Sequence, residues 1–154
     1  MSIAVEDVMA KEVVTVNAEY SVKYAAKMMS YFGISSLLVL NGNDIDGILT
    51  ERDVLTRIVA KGMNAEKVKV QDIMTRPVMV VKPTTPLIDA VKMMLEKKIK
   101  KLPVVEEVRN SSKLRGILSL TDVARLQPLL METLKSMAEI PQTVPEQQVG
   151  FYVS

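Results

Sequence analysis

The amino-acid sequence contains the same segment twice. Val5 to Leu40 aligns with Val70 to Val105 at an offset of 65 residues, and 12 of the 36 aligned positions are identical. After four additional residues, Gly47-Ile-Leu-Thr-Glu-Arg-Asp53 matches Gly116-Ile-Leu-Ser-Leu-Thr-Asp122. Two similar units that each expose an apolar face usually bury it against one another, so the interface between the repeats is the first place to expect a ligand.

Each repeat predicts the same order of elements, β-α-β-β-α, which is an α/β (α+β) fold. β-branched runs at 13–16 and 78–81 suit buried strands, and apolar residues at helical spacing follow at 22–29 and 87–94. Polar turns then connect pairs of apolar strands, as in β-hairpins. A second helix is expected at 51–61, where Gly62 follows as its stop, and residues 120–126 begin its equivalent.

This order divides the chain into three parts: a first repeat at 1–64, a second repeat at 65–127, and a third segment at 128–154. In the third segment, residues 128–140 predict a helix with an apolar stripe that includes Leu130, Leu134 and Met137, and a proline- and glutamine-containing tail follows. Two interpretations of this stripe remain open, namely packing against the core or a surface for a partner or a dimer.

Composition excludes several classes of function. The 154 residues contain no Cys and no His, so thiolate or imidazole metal sites, Ser-His-Asp triads and cysteine nucleophiles are ruled out, and we expect no enzyme. A formal charge of +2 with 4% aromatic residues makes a nucleic-acid partner unlikely. No apolar run reaches the roughly 18 residues of a membrane helix, and Glu6 and Asp7 do not fit a signal peptide, so we expect a cytoplasmic protein without a membrane partner.

The motif Gly-Ile-Leu-Thr/Ser-x-x-Asp allows two interpretations. In the first, the hydroxyls of Thr50 and Ser119 and the carboxylates of Asp53 and Asp122 only cap the helices that follow. In the second, amide groups at the start of the helix and the hydroxyl bind a phosphate, while the carboxylate accepts hydrogen bonds from both hydroxyls of a ribose. The second interpretation suits a nucleotide.

The chain resembles a tandem pair of cystathionine-β-synthase (CBS) domains, the Bateman module. The resemblance covers about residues 5–126 and rests on the repeated element order, the Asp-Val-Met and Asp-Ile-Met openings at Asp7 and Asp72, Leu102-Pro-Val-Val, and the two Gly-Ile-Leu-Thr/Ser-x-x-Asp motifs. It implies two repeats packed with pseudo-twofold symmetry and two clefts that bind adenosine-containing ligands. The chain departs from an exact repeat where Leu38 matches Pro103.

The resemblance also implies a set of ligand-binding residues. Asp53 and Asp122 match the positions that hold ribose, Thr50 and Ser119 match the hydroxyl position, and Arg52 and Thr121 match positions that often face phosphates. The remaining positions gather around adenine and phosphate: Val14, Met79, Ile34, Ser35, Ser36, Ile99, Lys100 and Lys101. The lysines belong to a cluster with Lys97 and Lys98 that would otherwise be the solvated end of a helix. Because serines replace them in the first repeat, the two clefts should differ in charge.

Two classes of function follow. In the first, the chain is a stand-alone regulatory module without a catalytic cofactor. It binds AMP, ADP, ATP, NAD or S-adenosylmethionine between the repeats, forms a homodimer and signals to an effector protein in trans. In the second, it is a structural or interaction module, or a nucleic-acid-binding module, whose clefts are not functional. Both motif aspartates are present, which favours the first class.

Overall fold

The protein is described from a computed structural model, which covers residues 3–126. The predicted helix at 128–140 and the tail therefore lie outside the described residues.

The first repeat has the predicted order of elements. Its elements are β1 Thr15–Asn17, α1 Val22–Phe32, β2 Ser36–Asn41, β3 Asp44–Thr50 and α2 Glu51–Val54. β2 pairs in parallel with β1 and antiparallel with β3, so the expected hairpin is confirmed. The helix predicted at 51–61 is not uniform, because α2 passes into a π-helical turn at Leu55–Val59. Gly62 follows with a φ of +63°, as a helix stop requires.

The second repeat differs at its first strand. Its elements are α3 Val70–Ile73, α4 Leu87–Lys97, β4 Lys101–Val108, β5 Ser111–Ser119 and α5 Leu120–Leu126. The strand predicted at 78–81 is reduced to one parallel bridge between Val81 and Val104. Pro103 explains the difference, because it has no N–H with which to extend this ladder, whereas Leu38 occupies the equivalent position in β2.

The opening segment of each repeat packs on the core of the other repeat. Val5 is fully buried in the core that contains Leu87, Leu102 and Leu118, and its amide donates to the Thr85 carbonyl at 2.9 Å. Val70 is fully buried in the core of the first repeat. The boundary between the repeats at residue 64 remains a prediction. In the structure, the opening segment of each repeat packs in the hydrophobic core of the other repeat, so the two repeats exchange their first segments.

A direct contact joins equivalent positions of the two repeats. Ser36 and Lys101, which are 65 residues apart in the alignment, begin β2 and β4, and the Lys101 Nζ donates to the Ser36 Oγ at 3.0 Å. Contact between two equivalent residues is expected close to a twofold axis. Together with the exchanged segments, it gives the mixed α/β fold with pseudo-twofold symmetry that the sequence predicted.

The glycine of the second motif is required by a close backbone approach. A Cβ atom at Gly116 would lie 2.5 Å from the Ala10 carbonyl oxygen, whereas a Cβ at Gly47 would lie 3.0 Å from the equivalent Thr75 carbonyl oxygen and closer only to the Met74 side chain. We expect Gly116→Ala to lower the free energy of unfolding by about 1–3 kcal/mol, and Gly47→Ala to cost less. Urea unfolding of both variants checks this, and equal losses would contradict the role of the Ala10 carbonyl.

The helices within residues 3–126 are too short and too polar for any of them to span a lipid bilayer.

Candidate functional site

A cavity of about 580 Å³ lies between the two repeats. Residues of the first repeat line one side, and the other side comes from the segment that opens the second repeat and from the turn between α4 and β4. Its lining is Ser35, Ser36, Ile48, Thr50, Glu51, Arg52, Thr75, Pro77, Val78, Met79, Lys98, Ile99, Lys100 and Lys101. The volume falls in the range of roughly 300–1,000 Å³ that is typical of small-molecule sites.

The structure brings eight of the predicted ligand-binding residues together in this cavity. They are Ser35, Ser36, Thr50, Arg52, Met79, Ile99, Lys100 and Lys101. The lysines of the second repeat therefore face the hydroxyl and arginine of the first repeat, a point that the sequence left open. The assignment of these residues to a ligand remains a prediction.

Six predicted residues lie elsewhere. Val14 packs against the first core, and Ile34 lines a separate, larger groove. Asp53 is buried beneath the cavity wall, and its carboxylate is bonded by Thr75, which does line the cavity. Ser119, Thr121 and Asp122 surround the start of α5, which corresponds to the start of α2 in the first repeat.

The cavity between the repeats is strongly cationic. Its lining includes Arg52, Lys98, Lys100 and Lys101 against one carboxylate, Glu51. Among residues 3–126, none of these four cations forms an ion pair within 4.0 Å. A concave surface with an excess of one charge concentrates ligands of the opposite charge, so the cavity suits an anion such as a phosphate group.

Apolar side chains form the rest of the wall. Ile48 and Ile99 are half-buried, Val78 lies beside them, and Met79 is 37% exposed. An apolar wall beside a cationic one fits a ligand with a flat, weakly polar ring at one end and negative charge at the other.

The Asp53 carboxylate is held by several partners. Its Oδ2 atom accepts a hydrogen bond from the Thr50 amide at 3.0 Å, while the Asp53 amide donates to the Thr50 hydroxyl at 3.2 Å. The Thr75 hydroxyl donates to Oδ1 at 2.9 Å, and Arg57 is 3.9 Å from the same atom. The predicted capping box is therefore confirmed in the first repeat, and its carboxylate is also engaged by the neighbouring segment.

The Asp122 carboxylate is more open. The Asp122 amide donates to the Ser119 hydroxyl at 2.9 Å, which is one half of a capping box. Its side chain is 42% exposed, against 8% for Asp53, and a loose contact of 3.9 Å joins it to Arg125. Within the described residues, the two motifs thus share a capping hydroxyl and differ in how far the carboxylate is available.

A larger groove of about 890 Å³ lies on one face of the first repeat, between α1 and α2. It is lined mostly by apolar side chains such as Met29, Leu55 and Val59, and Leu55 and Val59 are 61% and 65% exposed. Because a single repeat forms it and charged groups are few, it fits a packing surface better than a nucleotide site.

Six residues that line the cavity were not predicted from the sequence, namely Ile48, Glu51, Thr75, Pro77, Val78 and Lys98. Thr75 and Lys98 are the two that bear most on ligand binding. Thr75 aligns with Ala10, and this difference between the repeats could have drawn attention to Thr75. Its contact with Asp53 was not predictable, because it forms only when the opening segment of the second repeat packs on the first repeat. Lys98 was interpreted as part of a solvated cluster, and in the structure it follows α4 as its C-cap, with a φ of 57°, and lines the cavity.

Within residues 3–126, His, Cys, Asp and Glu side chains do not cluster in groups of three or more that could hold a metal ion.

The fold and the cavity define a class of protein, a tandem-repeat module with a cavity between its halves. Two matches of the CBS domain family cover residues 5–60 and 70–128. The chain belongs to the CBS domain family, as the resemblance implied.

Individual proteins agree with this assignment. The chain is 35% identical to an uncharacterized protein of Methanopyrus kandleri over 87% of its length and 67% of the relative. An uncharacterized conserved protein from Pyrococcus horikoshii superposes with a TM-score of 0.70 at 28% identity, covering 82% of this chain and 93% of the other. The CBS domain pair of protein MJ0100, solved with methylthioadenosine and S-adenosyl-L-methionine, superposes with a TM-score of 0.71 at 26% identity, covering 83% and 98%.

Proposed function

We propose that this protein is a non-catalytic regulatory module that binds an adenosine-containing ligand between its CBS repeats. The observation that carries the proposal is the cationic cavity between the repeats, where Thr50 and Arg52 face Lys100 and Lys101. The structural relative that was solved with two adenosine-containing ligands supports the same class of ligand. AMP, ADP, ATP, NAD and S-adenosylmethionine all contain the required adenosine.

The cavity offers a route for signalling because both repeats contribute to it. A phosphate held between Arg52 and Lys101 competes with Ser36 for the Lys101 ammonium group, which otherwise bonds Ser36 at the contact between the repeats. Ligand binding therefore favours one relative arrangement of the repeats over another, by as much as its affinity for the two arrangements differs. An effector protein in trans that contacts both repeats would sense this change.

An interaction surface is the second candidate, and α1 carries it. Tyr20, Tyr24, Tyr31 and Phe32 are 47–84% exposed, and they form two edge-to-face pairs. The aligned residues of the second repeat are Thr85, Asp89, Glu96 and Lys97. Clustered exposed aromatic residues on one repeat favour contact with another protein, and a homodimer through this helix is our proposal.

The ribose assignment of Asp122 can be tested with a ligand that lacks phosphate. We expect Asp122→Ala to cost about 0.3–1 kcal/mol of stability, because it removes a negative charge from the first turn of α5, and to abolish the thermal shift caused by S-adenosylmethionine. Thermal unfolding with and without this ligand measures both effects. Asp89→Ala, which removes an exposed carboxylate in the first turn of α4, is the control and should keep the shift. An unchanged shift in the Asp122 variant would contradict the assignment.

A further inference from the structure

Thr75 and Ala10 occupy equivalent places in the two halves of the molecule. The Thr75 amide donates to the Ile48 carbonyl at 2.8 Å and the Ile48 amide returns a bond at 3.1 Å. Ala10 exchanges the same two bonds with Ile117, both at 2.9 Å. Each residue is the point where an exchanged segment joins the last strand of the other repeat through the same pair of backbone hydrogen bonds, and the two side chains differ.

That difference decides what the neighbouring aspartate can do. The Thr75 hydroxyl lies 2.9 Å from Oδ1 and 3.2 Å from Oδ2 of Asp53. A methyl group stands in its place at Ala10, which has no proton to donate to Asp122. The exposure of the two aspartate side chains also differs, at 8% for Asp53 and 42% for Asp122.

Recognition of a ribose needs a carboxylate whose oxygen atoms are free to accept from two hydroxyl groups. At Asp53, one oxygen accepts from the Thr50 amide and both are within reach of the Thr75 hydroxyl. Asp53 is buried and does not line the cavity, whereas Thr75 does, so a ribose in the cavity reaches the carboxylate only if Thr75 moves away from it. Displacement exchanges one hydrogen bond to a charged acceptor for another and gains little free energy.

We propose that Thr75 makes the cavity between the repeats insensitive to ribose, so that this cavity selects its ligand by phosphate charge, while Asp122, opposite Ala10, selects by the ribose hydroxyls. The inference rests on the proposed function and assigns a different selectivity to each motif. Thr75 acts here as a positioning residue, because it works through Asp53.

The lining of the cavity fits this selectivity. Lys98, Lys100 and Lys101 supply charge that a phosphate can bind without any contact to the sugar. A phosphorylated ligand is thus matched to the motif whose aspartate is bonded by Thr75.

The test compares ATP with 2′,3′-dideoxy-ATP by calorimetry in an Asp122→Ala background, which removes the second ribose-selective aspartate. With Thr75 present, we expect the two dissociation constants to agree within about twofold, because the sugar hydroxyls are not used. Thr75→Ala should make ATP bind about tenfold more tightly than the dideoxy analogue, since a freed carboxylate gains a charge-assisted hydrogen bond. Thr75→Ser keeps the hydroxyl and should restore equal binding.

A reciprocal variant protects the test against a folding defect at Thr75. Ala10→Thr in the otherwise unchanged chain places a hydroxyl opposite Asp122 and should weaken binding of S-adenosylmethionine about tenfold, with ATP binding to the lysine-lined cavity unaffected. A tenfold preference for ATP over the dideoxy analogue while Thr75 is intact, or no gain in Thr75→Ala, would overturn the inference. If the wild-type protein binds no adenosine ligand at all, the proposed function fails first, which is a distinguishable result.

Discussion

Replacing Lys100 and Lys101 together with glutamine is expected to weaken ATP binding about 100-fold. Both side chains line the cavity between the repeats, and each is expected to contribute about tenfold through a charge-assisted hydrogen bond to phosphate. The loss should shrink as salt concentration rises, because salt screens the same interaction in the wild-type protein. Calorimetric titration at two ionic strengths measures both the loss and its dependence on salt.

Lys97→Gln provides the matched control. Lys97 is the last residue of α4, is exposed and does not line the cavity, so Lys97→Gln removes one positive charge, half of what the double variant removes, without removing a contact in the cavity. We expect less than a twofold effect on ATP binding. Comparable losses in the control and in the double variant would mean that the lysines act through net charge rather than through the cavity.

Val5→Asp is expected to lower the free energy of unfolding by about 4 kcal/mol, enough to unfold much of a marginally stable domain. Val5 belongs to the first repeat in sequence but is fully buried in the core of the second repeat, where a carboxylate has no partner. The same change at Val108, which is 42% exposed near the end of β4, should stay within about 0.5 kcal/mol. Urea unfolding gives both values.

The milder variants Val5→Ala and Val70→Ala test the exchange of segments itself. Hydrogen exchange should show Leu102 and Leu118 losing protection in Val5→Ala, and Leu37 and Leu49 losing protection in Val70→Ala, because each valine packs in the core of the other repeat. The opposite pattern would place each valine in its own repeat and would contradict the exchanged packing.

The sequence predicted those features of the fold that depend on local patterns. The internal repeat predicted two similar units, and the polar turns predicted both hairpins. The spacing of Thr50 and Asp53 predicted the capping box that the structure shows. The strand expected at 78–81 was wrong although its cause is also local, since the missing N–H of Pro103 limits strand pairing. These patterns act over a few residues and need no knowledge of how the repeats meet.

Features that depend on the arrangement of the two repeats were not predictable. The openings around Asp7 and Asp72 are nearly identical, so the sequence cannot say which core Val5 and Val70 enter. For the same reason, the sequence did not predict that Lys100 and Lys101 line a cavity with residues of the first repeat, or that Thr75 bonds Asp53. In each case the deciding contact joins residues from different repeats, and a pattern within one repeat carries no information about it.

The exchanged segments link the cavity to the stability of the molecule. The segment that contains Thr75 and Met79 forms part of the cavity wall, and just before it Ile73 and Met74 are buried in the core of the first repeat. Arg57 also binds the carbonyls of Ile73 and Met74, at 2.6 and 3.1 Å. A ligand in the cavity therefore contacts a segment whose preceding residues are buried in the core of the first repeat. This connection is the physical basis for expecting a ligand to raise the stability of the protein.

The most direct test is a calorimetric titration of the wild-type protein with AMP, ADP, ATP, NAD and S-adenosylmethionine, with GTP and a short RNA as controls. Our account predicts saturable binding of one or two adenosine ligands per chain, accompanied by a rise in Tm, and no saturable binding of the RNA. Failure of all the adenosine ligands to bind would contradict the account and would favour a module that acts through protein contacts alone.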